Sequence, residues 1–389
     1  MAMYGITNIG CLVSGNINKP LLNADTIIIK DKHIVDIGNS SILKNYQLNQ
    51  VLDVDDMTVT PGLIDSHAHV FLGDYTPRQN AIGFIEKCLN GGVTTMISAG
   101  ETHTPGRPND PQGTKALAIL AHKSFENSRP AGVKVHGGAV ILEKGLTEED
   151  FKEMAAAGVW LVGEIGLGTV KQPAEASQMV KWAKKHGFKT MLHTGGTSVP
   201  GGASITAADV LTILPDVVSH INGGPTSISL QQIDAIITSD RDFALEIVQC
   251  GNYKALVHAV KKAREVGKLD KIILGNDSPS GSGLVTLGIL RNICFIASFC
   301  DVSPEVAIAM ATGNTARRYN LNTGIIEKDK EADFVIMDAP PGSSGSTALE
   351  SLVAGDLPGI AYVIVDGEIK VKKSITTPPS NRKVTVVSV

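Results

Sequence analysis

Between about residues 62 and 320 the chain alternates short apolar runs with longer amphipathic stretches, and the runs end in Gly-, His- or Asp-containing turns. That alternation is the pattern of repeated βα units. Eight runs read as strands: Leu63–Val70, Val93–Ala99, Val133–Gly138, Val159–Ile165, Phe188–His193, Val217–His220, Phe243–Gln249 and Lys271–Asp277. The seven segments between them are rich in Ala, Lys, Glu and Leu and read as helices, with Thr147 and Asp150 forming the N-terminal cap of one. Eight units over about 250 residues predict a (β/α)8, TIM-like barrel of the α/β class, whose chemistry sits at the carboxyl ends of its strands.

Outside that span the helical period disappears. Thr26–Lys30 and Ile34–Gly38 flank a turn at Asp31-Lys32-His33, and Ala361–Lys370 alternates around Asp366-Gly367, so both ends read as hairpins. Neither end alone has enough strands to bury a face. The two are expected to pair into one small β-sandwich, giving a division into 1–61 (sandwich, N-terminal part), 62–320 (barrel) and 321–389 (sandwich, C-terminal part), with 340–346 as a Pro/Gly/Ser loop.

Composition narrows the partners. Of 389 residues 43% are hydrophobic and 19% charged, enough for a packed core and against disorder. A net charge of −4 offers no basic face for nucleic acid, no apolar run has the length of a membrane span, and the first residues lack a signal-peptide pattern. Five scattered cysteines without a Cys-x-x-Cys suit free thiols in a reducing compartment. The expectation is a cytoplasmic protein whose partners are small molecules.

The chemistry lies at the run ends. His67 and His69 close the first run, and residues two apart on a strand point the same way, about 6–7 Å apart, within reach of one metal ion. His193 and His220 each end a run before a glycine-rich loop, Glu164 ends the fourth and Asp277 the eighth. Six nitrogen and oxygen donors at one barrel mouth are costly to bury unless paired or metal-bound. Six ligands exceed one tetrahedral ion. The economical arrangement is two divalent ions, the first on His67, His69 and Asp277, the second on His193 and His220, with Glu164 between them. Donors without thiolate suit Zn(II), Fe(II), Mn(II) or Co(II). The remaining histidines have plainer explanations: His186 at a helix end, His122 and His258 within helices, His33 in the terminal hairpin.

The run Pro61-Gly-Leu-Ile-Asp-Ser-His-Ala-His69, a strand-four bridging residue, two single histidines and a strand-eight Asp resemble the amidohydrolase superfamily over nearly the whole chain. Within it, the stretches 132–145, 218–225 and 246–251 are similar to the branch that opens the six-membered lactam 6-oxo-1,4,5,6-tetrahydronicotinate to 2-formylglutarate and ammonia in nicotinate degradation. That resemblance implies a Glu bridge, a Zn2+/Fe2+ pair (or two Zn2+) and a homotetramer. Sister families each lose a part here. Dihydroorotase-like members place Arg where Phe71 stands, hydantoinase-like members bridge with a carboxylated Lys rather than Glu164, and nucleobase deaminases carry a Glu where Gly196 stands. The alternative is another cyclic amidase or a heterocycle deaminase on the same site.

The expected reaction is hydrolysis of a carboxylated lactam, with Asp277 moving the proton from the attacking water to the departing ring nitrogen. Candidates for holding the substrate and its carboxylate are Arg78, Lys144, His136, Thr197 and Ser278, the last two in glycine-rich loops whose N–H groups can bind anions. His103, in a Pro/Gly-rich loop, is a further candidate for a substrate or structural role.

Overall fold

The computed structural model describes all residues except 1, 2, 72–80, 105, 198, 200, 225, 280–282 and 389. Its middle is a (β/α)8 barrel. The eight barrel strands are β1 Leu63–Ala68, β2 Val93–Ser98, β3 Lys134–His136, β4 Leu161–Ile165, β5 Lys189–Leu192, β6 Val217–Val218, β7 Ala244–Val248 and β8 Ile272–Gly275. Each is followed by a helix: α1 Ala81–Asn90, α2 Pro111–Asn127, α3 Glu148–Ala156, α4 Pro173–Lys185, α5 Ala207–Ile213, α6 Leu230–Thr238, α7 Tyr253–Glu265 and α8 Gly288–Phe299. Local sequence sets the helix starts. At α3 the Asp150 carboxylate accepts from both the N–H and the hydroxyl of Thr147, and Asp209 does the same for Thr206 at α5.

The strands pair in parallel as two ladders, β1 to β3 and β4 to β8, and two sets of bonds close the ring. Past the end of β8, Asp277 N–H donates to His67 O (2.9 Å) and His69 N–H to Ser278 O (3.1 Å). On the other side Glu164 N–H donates to Ala99 O (3.0 Å), so β4 bonds directly to the segment after β2. The third strand has left the wall by then. It turns away at Gly137-Gly138, where Gly138 takes a φ of +84°, and returns only to bridge Val140 to Val162.

Both termini build the second unit. A five-stranded sheet orders Thr385–Ser388, Gln50–Asp53, Met3–Thr7, Thr26–Lys30 and His33–Gly38; a six-stranded sheet orders Glu368–Lys372, Gly359–Val365, Phe334–Asp338, Thr58–Pro61, Cys11–Val13 and Leu21–Leu22. Ile6, Ile27, Ile29, Leu52, Val59, Phe334, Ile336 and Ile364 form their shared, fully buried core. Thr58–Pro61 runs straight on into β1, so the sandwich anchors the strand that carries the paired histidines. Among the described residues no helix is long and apolar enough to cross a membrane.

Candidate metal centre

The residues at the strand ends converge. His67 lies in β1 and His69 just after it, Glu164 in β4, His193 just after β5, His220 two residues after β6 and Asp277 two residues after β8. All six are buried. Nε2 of His67 and Nε2 of His69 are 3.3 Å apart, and Asp277 Oδ1 sits 3.6 Å from the first and 3.2 Å from the second. Across the mouth, His193 Nδ1 and His220 Nε2 are 3.2 Å apart.

Glu164 stands between the two groups and gives one oxygen to each. Oε1 is 2.7 Å from His220 Nε2 and 3.4 Å from His193 Nδ1. Oε2 is 3.5 Å from His69 Nε2 and 3.7 Å from His67 Nε2. One ligand atom from each of His67, His69 and Glu164, from each of Glu164, His193 and His220, or from each of His67, His220 and Asp277 lies close enough to the others to share one ion.

Three of the four imidazoles are turned by a bond on their far side. His69 Nδ1 bonds Gly100 O (2.8 Å), His193 Nε2 bonds Gly196 O (2.8 Å) and His67 Nδ1 bonds Glu246 Oε2 (2.7 Å). Each acceptor fixes the proton on that nitrogen and leaves the other nitrogen's lone pair facing the cluster. His220 presents Nε2, while its Nδ1 is buried without a partner among the described residues.

Electrostatics bear on whether ions fit. Burial opposes the charged form of Glu164, yet His67, His193 and His220 hold its carboxyl well below the ordinary range. Asp277, also against burial, is kept low chiefly by His69. Burial presses His67, His69 and His220 toward neutrality, but Glu246 and Glu164 raise His67 well above its ordinary value, Asp277 and Glu164 raise His69, and Glu164 raises His220. Glu164, Glu246 and Asp277 thus gather three carboxylates, and among the described residues no Lys or Arg pairs with any of them. A buried anionic set of this kind needs cations. Two divalent ions fit the charge, the oxygen and nitrogen donors and the fixed ring orientations together.

The other candidates are placed as follows. His103 stands at the mouth, its ring 4.8 Å from that of His69 and edge-on to it. Ser278 is buried and engaged in the fold, its carbonyl accepting from His69 N–H and its hydroxyl donating to Gly283 O (3.0 Å). Thr197 is exposed in the loop after β5, and Lys144 is exposed with its N–H on Thr169 Oγ1. Arg78 lies outside the described residues. His136 does not join the cluster. It packs edge-on against Trp160, just before the start of β4, at 5.3 Å, and lines with Lys134, Leu321 and Glu331 a cavity of about 400 Å3 at the seam with the sandwich. Burial and the nearby Lys134 push its pKa down to about 4. The reason is the early departure of the third strand, which ends its run of paired residues below the mouth.

Two features of the site were not read from the sequence. Glu246 in β7 is fully buried behind His67, and a lone acid within Ala244-Leu-Glu-Ile-Val248 is the signal that marks it. Glu143, also fully buried, accepts from Arg107 (2.6 Å) and from Thr169, and so braces the loops after the second and fourth strands.

This barrel, its sandwich and the clustered donors at its mouth define a class. Residues 58–370 match the model of the amidohydrolase family, and the chain belongs to that family, as its sequence motifs led us to expect. It is a hydrolase of carbon–nitrogen bonds. The particular likeness is to an enamidase from Eubacterium barkeri, 58% identical over 377 residues that cover 97% of each chain. A crystal structure of enamidase superposes with a TM-score of 0.96 at 57% identity, covering 99% of this chain and 100% of that one. More distant is an adenine deaminase from Ruegeria sp. (strain TM1040), 26% identical over 82% of this chain and 51% of its own length.

Proposed function

We propose that this protein is a binuclear cyclic amidase that opens 6-oxo-1,4,5,6-tetrahydronicotinate. Two waters are consumed: the first cleaves the lactam, the second hydrolyses the resulting enamine, and the products are 2-formylglutarate and ammonia. What supports the reading is the split carboxylate of Glu164 in a chain that is similar to an enamidase from end to end.

In this reading His67, His69 and Asp277 would hold one ion and His193 and His220 the other, with Glu164 placed to serve both. Two ions held there would supply, when bound, a polarised carbonyl and a water acidic enough to attack near neutral pH. Asp277 does the proton work. Its carboxyl is held in the ionised form, so it can accept the proton of the attacking water and pass it to the departing ring nitrogen, a role worth about 10²–10⁴ in rate. His103, beside His69, is positioned to touch the substrate. The donor set suits Zn2+ with Fe2+, or two Zn2+. We further propose a cytoplasmic homotetramer working in nicotinate degradation, with 62–320 as the catalytic unit and 1–61 and 321–389 as its sandwich.

The test is turnover. Protein loaded with zinc and iron is offered 6-oxo-1,4,5,6-tetrahydronicotinate, dihydroorotate, a hydantoin and adenine, and ammonia release and ring opening are followed. Efficient hydrolysis of the first compound alone is expected. Turnover of dihydroorotate, the hydantoin or adenine with none of the tetrahydronicotinate overturns the assignment.

A further inference from the structure

Glu246 occupies the one strand, β7, that no proposed metal ligand uses between β4 and β8. Its carboxylate is fully buried and spends every described contact on the neighbouring ligand framework. Oε1 accepts from Ser66 Oγ (2.6 Å). Oε2 accepts from His67 Nδ1 (2.7 Å) and from the backbone N–H of His220 (3.3 Å). His67 and His220 belong to the two different histidine groups of the cluster. Glu246 also holds the segment after β6 through its backbone, since Ile221 N–H donates to Glu246 O (2.9 Å).

The backbone at His220 needs such support. Its φ of +33° is a conformation that side chains with a Cβ rarely adopt, and it persists only where neighbours over-determine it. Room for the arrangement comes from Gly275 in β8, where a Cβ would stand 2.6 Å from His67 Cβ and 3.3 Å from Glu246 Oε1. Between β7, β8 and β1, sequence has therefore made a slot for a carboxylate and an imidazole together.

We propose that Glu246 is a positioning residue shared by both halves of the metal centre: it fixes His67 with Nε2 toward the ions and pins the backbone that carries His220. It touches neither ion nor substrate and acts through these two histidines. Removing such an outer partner typically lowers metal affinity by about 10–100-fold. Because the carboxylate reaches ligands of both groups, both binding steps weaken.

This inference rests on the two-ion reading above, and the experiment separates the two. Metal-free wild type, Glu246→Gln and Glu246→Asp are titrated with zinc alone against a competing chelator, and melting is followed with and without zinc. The wild type is expected to take two zinc ions. Glu246→Gln keeps the shape but loses the charge, and is expected to bind both ions about 10–100-fold more weakly, with a smaller zinc-induced rise in Tm measured from the variant's own metal-free Tm. Glu246→Asp keeps the charge at shorter reach and is expected to fall between them; it remains informative if the Gln variant does not fold. Activity at saturating zinc is expected to return toward the wild-type value. Wild-type zinc affinity at both sites in either variant overturns the proposal. A wild type that binds one zinc or none overturns the two-ion reading instead.

Discussion

Oε1 of Glu164 lies 2.7 Å from Nε2 of His220, while the other oxygen of the same carboxylate turns toward the His67 and His69 pair. One side chain on β4 thereby joins histidines carried by β1 with histidines that follow β5 and β6. A carboxylate can serve two ions because it has two equivalent oxygens; an amide has one weaker oxygen and a nitrogen that donates. Glu164→Gln is therefore expected to lose one equivalent of metal. Elemental analysis of the purified variant checks this, and full retention of both ions would remove Glu164 from the bridging position.

Asp277 is assigned both to an ion and to the proton. If it only held metal, Asn could partly substitute, and excess metal would restore activity. An amide has no basic site of suitable pKa, so loss of the proton role persists at full loading. Asp277→Asn is expected to show kcat lower by about 10²–10⁴ with a modest change in KM. The check is kcat on samples whose metal content is measured alongside, and a value within a few-fold of wild type assigns the proton to another group.

Acidity and metal compete for the same nitrogens. Despite burial, carboxylate neighbours raise the metal-free pKa values of His67, His69 and His220, so these rings hold their protons to higher pH than a free imidazole and must release them to bind metal. The sign follows: zinc affinity rises with pH while these groups deprotonate and falls on acidification. Below their pKa values each displaced proton contributes about a tenfold change in affinity per pH unit. Zinc titrations at several near-neutral pH values measure the slope; an affinity independent of pH contradicts the raised pKa values.

At the base of the barrel Lys134 of β3 is almost fully buried among Asp333, Glu331 and Asp366, the last at 3.2 Å. These carboxylates belong to the sandwich side and raise the Lys134 pKa to about 12 against the effect of burial. Taking away the cation leaves the fully buried Asp333 without a cationic partner, a loss of about 3–5 kcal/mol, whereas Asp366 keeps Arg129. Lys134→Met is expected to lower Tm markedly while kcat per folded molecule stays near wild type. An unchanged Tm would show that the cluster does not hold the barrel to the sandwich.

The barrel and the convergence of its donor-bearing ends were legible because strand runs in a parallel barrel stop where the chain meets the mouth, so His193, His220 and Asp277 announced themselves by ending runs before loops. His67 and His69 added the two-residue strand period. His136 ended a run as well, but Gly137-Gly138 carried the third strand off the wall early, a departure that depends on β4 bonding to Ala99 and is invisible in local sequence. Glu246 was missed for a related reason. Its meaning lies in β7, β8 and β1 standing side by side, residues some 180 positions apart in the chain, and only its charge inside an apolar run hints at it.

The number and place of the ions are open to direct measurement. Crystals of the protein purified with its metals, measured by anomalous scattering at the zinc and iron edges, are expected to show two peaks at the barrel mouth. One should lie among His67, His69, Asp277 and Oε2 of Glu164, the other among His193, His220 and Oε1 of Glu164, about 3.5–4 Å apart as in other two-metal sites. A single peak, or none, in enzyme that turns over its substrate at full rate would contradict the binuclear centre.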